Sequence, residues 1–172
     1  VKEGDEWVIN GAKMFITNGT LADWVVVFAL TNPEHPSRHH RHSFILVPTD
    51  TPGYEANKLR GKLGIRASDT AELSFSDMRV PLSNLVGKEG EGFHELMGFF
   101  NRTRLHVCAQ GVGVARAALE ESITYTKKRH QFGAALASFQ ATQFKLAEMA
   151  TRVKAARNLY YEAAWLVDQG TI

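Results

Sequence analysis

The first half of the chain carries short apolar segments separated by turn residues, a pattern typical of β-strands in a small antiparallel domain. Trp24 to Leu30 is an unbroken apolar run rich in β-branched and aromatic side chains, which predicts a buried strand. Ala71 to Phe75 alternates as a half-exposed strand does. Asn10-Gly11 and Asn18-Gly19 predict turns, the first of them a hairpin turn, because Asn and Gly tolerate positive φ. The other predicted strands are Trp7 to Ile9, Ala12 to Thr17 and Phe44 to Val47. Residues 1–85 are therefore predicted to form a small antiparallel β-barrel or sandwich.

The second half carries helical periodicity. Apolar side chains repeat at heptad positions with one polar member, at Thr142, Leu146, Met149, Val153, Ala156, Tyr160, Ala163 and Val167. This seam predicts a long helix. An earlier helix is predicted from about Glu91 to Lys128, and a non-helical link joins the two at 130–137. The predicted apolar face of this earlier helix includes Phe93, Met97, Phe100, Val107, Gly111, Val114 and Ala118. The fold class is thus α+β, with two long antiparallel helices after the sheets.

A second set of apolar side chains lies off these helical seams. It includes Leu105, Leu119 and Trp165. A single pair of helices cannot cover two apolar faces. We therefore expect further helices, from the same protein or from a second subunit, to complete a four-helix bundle.

Composition narrows the functional class only slightly. Of 172 residues, 44% are hydrophobic and 22% charged, a balance typical of soluble globular proteins. The net charge of +2 gives no reason to expect nucleic acid as a partner, and we expect no membrane span. The single cysteine, Cys108, is expected to be a small buried hydrophobe. The absence of an initial Met suggests a part of a larger protein.

Three local groups of residues could carry chemistry, each with a simpler structural interpretation. Phe15 and Thr17 share a strand face by alternation and could stack on a ring system and donate to it, or be a core aromatic and a surface Thr. Arg104 falls on the apolar seam of the first helix, where a buried guanidinium needs a carboxylate or a ligand. Arg129 could bind phosphate, or simply favour a helix C-terminus.

Two further segments have weaker chemical interpretations. Four histidines between His35 and His42 could bind a metal, but a solvated loop is preferred because Pro36 and the arginines among them give no regular ligand spacing. Gly87 to Gly92 matches no phosphate-loop spacing and is interpreted as the turn before a helix.

Six motifs in order carry a resemblance to a known family. They are Lys13 to Gly19, Leu63 to Thr70, Phe75 to Pro81, Gly87 to Phe93, Arg129 to Gly133, and Phe139-Gln140. Together they resemble the acyl-CoA dehydrogenase family over essentially the whole chain. The resemblance implies that residues 1–85 are the middle β-domain and residues 86–172 the first part of the C-terminal helical domain.

The resemblance also implies site residues. Phe15, Ile16 and Thr17 should lie against the flavin ring of FAD, with Thr17 donating near N5; most family members have Trp in place of Phe15. Acyl-CoA contacts are implied for Ser37 and for the helical residues Asn101, Arg102, Thr103 and Arg104. Residues that reach the FAD of a neighbouring subunit are implied at Arg129, His130, Gln131, Phe139 and Gln140. A homodimer or homotetramer follows from that sharing.

The family reaction is α,β-dehydrogenation of an acyl-CoA thioester, with hydride transfer to FAD and electrons passed to an electron-transfer flavoprotein. The catalytic glutamate is expected outside these residues, because Thr103 occupies the one family position for it that falls within them. Alternatives are an acyl-CoA oxidase or flavin monooxygenase of the same fold, or a non-catalytic assembly module. The family occurs in bacterial cytoplasm and in the mitochondrial matrix.

Overall fold

The computed structural model describes residues 1–171 and contains antiparallel sheets followed by two long helices, which confirms the α+β fold class. The strands are β1 Lys2–Glu3, β2 Glu6–Thr17, β3 Trp24–Leu30, β4 His42–Pro48, β5 Tyr54–Lys58, β6 Thr70–Pro81, β7 Leu85–Val86, β8 His130–Gln131 and β9 Ala134–Ala135. The helices are α1 Gly92–Lys128 and α2 Gln140–Asp168. Short 3₁₀ turns cover Arg38–His40, Leu82–Asn84 and Leu136–Ser138. The chain divides into two compact units, Val1–Met97 and a second that begins at Gly98.

The first unit is a sandwich of two antiparallel sheets. One sheet has the strand order β1-β2-β6-β5 and the other β3-β4-β7. Alternate side chains of both sheets enter one core, including Trp7 and Met78 from the first sheet and Ile45 and Val47 from the second. Burial of these apolar surfaces is the main force holding the sheets together. Over residues 1–171 the two sheets do not join into a closed barrel.

The predicted hairpin at Asn10-Gly11 is wrong, because β2 runs straight through these residues. It pairs with β6 from Glu6 opposite Pro81 to Thr17 opposite Thr70, with a register shift between Ile9 and Gly11. The Asn10 side chain bonds across to Asp77, accepting from its backbone N–H at 2.8 Å and donating to its carboxylate at 2.9 Å. The turn-forming dipeptide is thus used in a β-bulge, which needs the same unusual backbone freedom as a hairpin turn.

Two other strand predictions need correction. Strand β3 has the predicted bounds but is not buried on both faces, since Trp24 and Val26 are each 56% exposed. It covers the core with one face only, as a strand of a sandwich does. Strand β5 was not predicted, because its sequence, Tyr-Glu-Ala-Asn-Lys, has little of the apolar alternation that identifies strands.

Both helices lie close to their predicted bounds, and the second unit is built around them. On α2 the predicted seam is confirmed, because all its members except Ala156 are partly shielded from solvent. On α1 the predicted face is shielded only at its start, at Phe93 and Met97. From Phe100 onward its members are exposed, whereas Leu105 and Leu119, which lie off that face, are shielded, so this part of the prediction is wrong. Apolar residues surround α1 on more than one side, so periodicity alone could not select the face that packs within this unit.

Several large apolar side chains of the second unit remain exposed. They are Phe99, Phe100, Val107, Val114, Tyr125, Phe132, Phe144, Leu159, Tyr161 and Trp165. This surface is larger than isolated exposed hydrophobes would give and is typical of an interaction surface. Within residues 1–171, neither helix combines the length and hydrophobicity that crossing a membrane requires.

The turn after β2 is held by a buried carboxylate. Asp69, which is only 3% exposed, accepts hydrogen bonds from the Thr20 backbone N–H at 3.0 Å and the Thr20 hydroxyl at 2.9 Å. Its backbone carbonyl accepts from the Asn18 N–H at 3.2 Å, and Lys58 Nζ lies 3.4 Å from its carboxylate. The Thr20 N–H and hydroxyl, together with Lys58, lower the pKa of Asp69 against the opposing effect of burial.

We expect the Asp69 carboxylate to make stability depend on acidic pH. Because folding lowers its pKa, its contribution is fully present above the ordinary carboxyl value of about 3.9 and is lost as the pH falls from that value through the lower pKa of the folded state. Asp69→Asn should therefore lower the urea midpoint at about pH 6 and flatten its decline toward about pH 3. Urea unfolding followed by circular dichroism at both pH values measures these midpoints.

The matched control is Asp50→Asn, which makes the same change at an exposed turn residue and should leave the pH profile unaltered. An Asp69→Asn profile as steep as that of the parent protein would contradict the assignment.

Truncating a core side chain should lower the stability of the first unit. Met78 is fully buried, so Met78→Ala should lower the free energy of unfolding by about 2–5 kcal/mol. The same substitution at Met14, which is about half exposed on β2, should change it by about 0.5 kcal/mol or less. Urea unfolding of both variants measures the difference, and equal effects would show that Met78 is not part of the core.

Candidate functional site

The end of β2 presents an aromatic ring to solvent. A register shift between Lys13 and Ile16 marks a second β-bulge, and within it Phe15 has φ of 61° and is 75% exposed. A bulky residue with positive φ is uncommon, and bulges near sites re-aim side chains. The strand alternation from which Phe15 and Thr17 were predicted to share a face is interrupted here, although both side chains are exposed.

The neighbours of Phe15 fix this edge in place. Ile16 is half-buried and packs against the sandwich core, opposite Ala71 on β6. Thr17 is the last residue of β2 and pairs with Thr70, immediately before the turn that Asp69 holds. Phe15 and Thr17 are therefore exposed on either side of Ile16, whose half-buried side chain anchors this strand end in the core.

Asp69 is the residue at this edge that the sequence did not reveal as important. It lies in the segment Leu63 to Thr70 that contributes to the family resemblance, but no periodicity marks it as buried. Its role depends on donors from two other parts of the chain, Thr20 and Lys58. The sequence offers only one local indication of this role, namely that Asp69 stands directly before a strand.

The predicted helical residues are clustered on the surface of α1. The Arg104 guanidinium donates to the Asn101 side-chain oxygen at 2.5 Å, and both residues are exposed. The expectation of a buried Arg104 is wrong for this chain, because α1 packs through another face. Thr103 is partly shielded, and its hydroxyl donates to the Phe100 carbonyl at 3.3 Å. Arg102 is exposed beside them.

An open cavity of about 870 Å³ adjoins these residues within the second unit. Its lining residues come from the first turns of α1 and the end of α2, as the antiparallel course of the two helices requires; they are Gly98, Asn101, Arg102, Arg104, Leu105, Cys108, Val167 and Gly170. Cys108 is exposed, so its prediction as a buried hydrophobe is wrong. The cavity combines an apolar wall with two guanidinium groups, which suits an anionic molecule with an apolar part.

Ser37 occupies a different position, in the loop between β3 and β4. It precedes the 3₁₀ turn Arg38–His40, and its backbone N–H donates to Nδ1 of His35 at 3.2 Å. The structure thus places Ser37 in the first unit and the predicted helical contacts in the second.

The link between the helices contains a small hairpin that was not predicted. His130 pairs with Ala135 and Gln131 with Ala134, and the Leu136 N–H donates to the Arg129 carbonyl at 2.8 Å. The side chains of Arg129, His130 and Gln131 are exposed. Beyond the hairpin, Phe139 is the N-cap residue of α2 and Gln140 its first residue. The structure therefore holds these five predicted residues within one short, folded segment.

Phe132 at the tip of this hairpin is a further residue that the site prediction missed. It has φ of 53° and is 94% exposed, and Gly133 follows with φ of 80°. Phe is not a usual residue for a turn with positive φ, so no turn signal could have identified it.

Comparison with known proteins agrees with the six motifs. Residues 1–78 match the family model for the acyl-CoA dehydrogenase middle domain, and residues 90–172 match that for the C-terminal domain. An acyl-CoA dehydrogenase of Bacillus subtilis is 47% identical over 170 residues, which are 99% of this chain and 44% of that protein.

Solved structures show the same relationship. The crystal structure of an acyl-CoA dehydrogenase from Geobacillus kaustophilus superposes with a TM-score of 0.96 at 38% identity, covering 99% of this chain and 45% of that one. A chain in a structure described as the electron transferring flavoprotein of Acidaminococcus fermentans has a TM-score of 0.92 at 44% identity, with coverages of 99% and 44%. The chain thus spans less than half the length of these relatives. From its two domain matches and its identity to these proteins, the chain belongs to the acyl-CoA dehydrogenase family.

Proposed function

We propose that the protein to which this chain belongs catalyses α,β-dehydrogenation of an acyl-CoA thioester with hydride transfer to FAD. Family membership supports the reaction class, and the relative from Bacillus subtilis is named for it. The observation that carries the proposal is the edge at the bulged end of β2, where Phe15 and Thr17 are exposed on either side of the anchoring Ile16.

This edge fits a flat, partly polar ring. Phe15 offers an aromatic face to solvent, and Thr17 offers a hydroxyl two residues later. Ile16 packs into the core behind them and limits movement of the edge. When bound, FAD supplies the hydride acceptor at N5. In the proposal Phe15 packs against the flavin ring and the Thr17 hydroxyl donates a hydrogen bond near that nitrogen.

The α1 residues are proposed to contact acyl-CoA. Arg104 and Arg102 supply guanidinium groups beside an apolar cavity wall, and Asn101 orients Arg104 through their hydrogen bond. A guanidinium can form two parallel hydrogen bonds to a phosphate, which suits the diphosphate part of a coenzyme A thioester. We propose Thr103 and the loop residue Ser37 as further contacts with the same substrate.

The hairpin between the helices is proposed to serve a neighbouring subunit. Arg129, His130 and Gln131 project from a short folded hairpin, and Phe139 and Gln140 start α2 next to it. In the proposal these residues contact the FAD of another subunit, in a homodimer or homotetramer. The exposed apolar surface of the second unit, including Phe132 at the hairpin tip, supports subunit packing.

Two parts of the reaction are assigned outside this chain. The catalytic glutamate is proposed to lie elsewhere in the protein, because Thr103 carries no carboxylate. Electrons are proposed to pass to an electron-transfer flavoprotein, which is consistent with the similarity to a chain in the Acidaminococcus fermentans structure. We propose a cytoplasmic location in a bacterium, or the mitochondrial matrix in a eukaryote.

The role of Thr17 predicts a modest kinetic loss. Thr17→Val in the full-length protein with FAD should slow flavin reduction by acyl-CoA about 2- to 10-fold, because one hydrogen bond contributes about 0.5–1.5 kcal/mol. Stopped-flow absorbance of the flavin under anaerobic conditions measures this rate.

Thr151→Val is the matched control, since Thr151 is exposed on α2 and bonds only its own helix, to the Ala147 carbonyl. An unchanged rate in Thr17→Val, with FAD fully bound, would contradict the proposed hydrogen bond.

A second prediction concerns the catalytic glutamate, the base that removes the α-proton of the substrate. The 172-residue chain mixed with FAD, acyl-CoA and a dye acceptor should reduce no more dye than a protein-free mixture, because Thr103 stands at the one family position for the base that falls within it. The full-length protein under the same conditions should bleach the dye steadily. Steady bleaching by the 172-residue chain would show that the base lies within it.

A further inference from the structure

The histidine loop before β4 is held against the start of α1 within the first unit. Gly90 has φ of +82°, and a Cβ built there would lie 2.9 Å from the His40 carbonyl oxygen. A Cβ on Gly92 would lie 2.9 Å from the His42 carbonyl oxygen. The Gly90 N–H also donates to the fully buried hydroxyl of Ser43 at 2.9 Å. The two segments therefore approach at backbone contact distance, which fixes the positions of the side chains around them.

This approach brings three ligand-forming side chains together. His40 Nδ1 lies 3.1 Å from Glu91 Oε1, and the rings of His40 and His94 have centroids 5.2 Å apart. One ligand atom from each of His40, Glu91 and His94 lies within 4.8 Å of the other two. His40 and Glu91 are partly shielded from solvent, and His94 is exposed in the first turn of α1.

We propose that His40, Glu91 and His94 bind a divalent transition-metal ion of the Zn²⁺ class. Two imidazoles and one carboxylate are a ligand set that Zn²⁺ takes in proteins, with a fourth position left for water. With metal–ligand distances of about 2.0–2.2 Å, tetrahedral ligand atoms are about 3.3–3.5 Å apart. The His40–Glu91 pair is already near this spacing, and the exposed His94 side chain can rotate to complete it.

Neighbouring rings restrain the loop that carries His40. His39 packs against Phe93 of α1, with ring centroids 4.5 Å apart, and His35 lies 5.4 Å from His40 by the same measure. His40 thus sits on a short 3₁₀ turn that contacts the chain on both sides of Glu91, at Gly90 and at Phe93. Such restraint reduces the entropy that ligand ordering costs on metal binding.

The charges around the cluster favour a cation over an anion. A helix N-terminus and nearby arginines would attract phosphate, but the Glu91 carboxylate lies inside the cluster and would repel it. The nearby Arg41 is engaged within the loop, because its Nε donates to the His35 carbonyl at 2.8 Å. A metal ion would take the place of the direct contact between His40 and Glu91.

The ligand set also explains why a solvated loop was the preferred interpretation from sequence. Residues 35–42 alone offer no regular spacing, and the carboxylate and second imidazole come from about fifty residues further along the chain. The proposed ion would connect the β3–β4 loop to the start of α1 and stabilise the folded state through ligation. This site does not depend on the proposed dehydrogenase activity.

Zinc titration of the purified full-length protein, prepared without a histidine tag, tests the proposal in competition with a chromophoric chelator. The parent protein should bind one equivalent of Zn²⁺ at this cluster. His40→Ala, Glu91→Gln and His94→Ala should each weaken that binding about tenfold or more. Co²⁺ should give visible absorption bands that the same substitutions abolish.

His106→Ala is the matched control, since His106 is an exposed α1 histidine whose Nδ1 contacts only the Arg102 carbonyl of its own helix. It should retain parental affinity. Because His94 is exposed, His94→Ala should keep the circular dichroism spectrum of the parent and separate ligand loss from misfolding. Zinc affinity unchanged by all three ligand substitutions, or saturable binding of inorganic phosphate without zinc binding, would overturn the proposal.

Discussion

The buried carboxylate of Asp69 is the interaction on which the proposed flavin edge depends. It accepts from the backbone and hydroxyl of Thr20 and lies beside Lys58, so it joins the turn after β2 to the strand β5 and to the start of β6. A nearly inaccessible carboxylate is costly to bury unless donors surround it. The same donors that stabilise the charge therefore fix where β2 ends, and with it the position of Thr17.

Backbone conformations that most residues avoid occur at the segments proposed to contact ligands. Phe15 and Asn18 flank Thr17 with positive φ, and Phe132 has the same property at the tip of the α1–α2 hairpin. Such conformations persist only where the surrounding structure determines them, as the sandwich core and the Asp69 turn do for Phe15. The positive φ of Phe15 and Phe132 costs conformational energy locally, and at both positions the aromatic ring is exposed.

The sequence predicted the elements with strong periodicity and missed those set by contacts between distant residues. The bounds of β3 and the seam of α2 follow from local patterns, and both are present. The hairpin at Asn10-Gly11 was mistaken because a β-bulge uses the same residue types, and the choice depends on Asp77 across the sheet. The packing face of α1 was predicted incorrectly over most of the helix because apolar residues lie on more than one side of it, so that either side could pack against α2.

The same distinction between local sequence patterns and contacts of distant residues applies to the candidate site. Local chemistry indicated Phe15, Thr17, Arg104 and Arg129 without deciding between a ligand and a structural role, and the full set of proposed FAD and acyl-CoA contacts came from resemblance to a family. Most of these side chains are exposed in the structure. Asp69, Phe132 and the His40–Glu91–His94 cluster needed coordinates, because each depends on a turn conformation or on partners far along the chain.

The central claim is that the Asp69-anchored end of β2 forms one face of a flavin site. A crystal structure of the full-length protein with FAD bound tests it most directly. We expect the Phe15 ring to pack against the flavin ring and the Thr17 hydroxyl to lie within hydrogen-bonding distance of the flavin N5 region. A flavin ring bound elsewhere, with Phe15 and Thr17 still facing solvent, would contradict it.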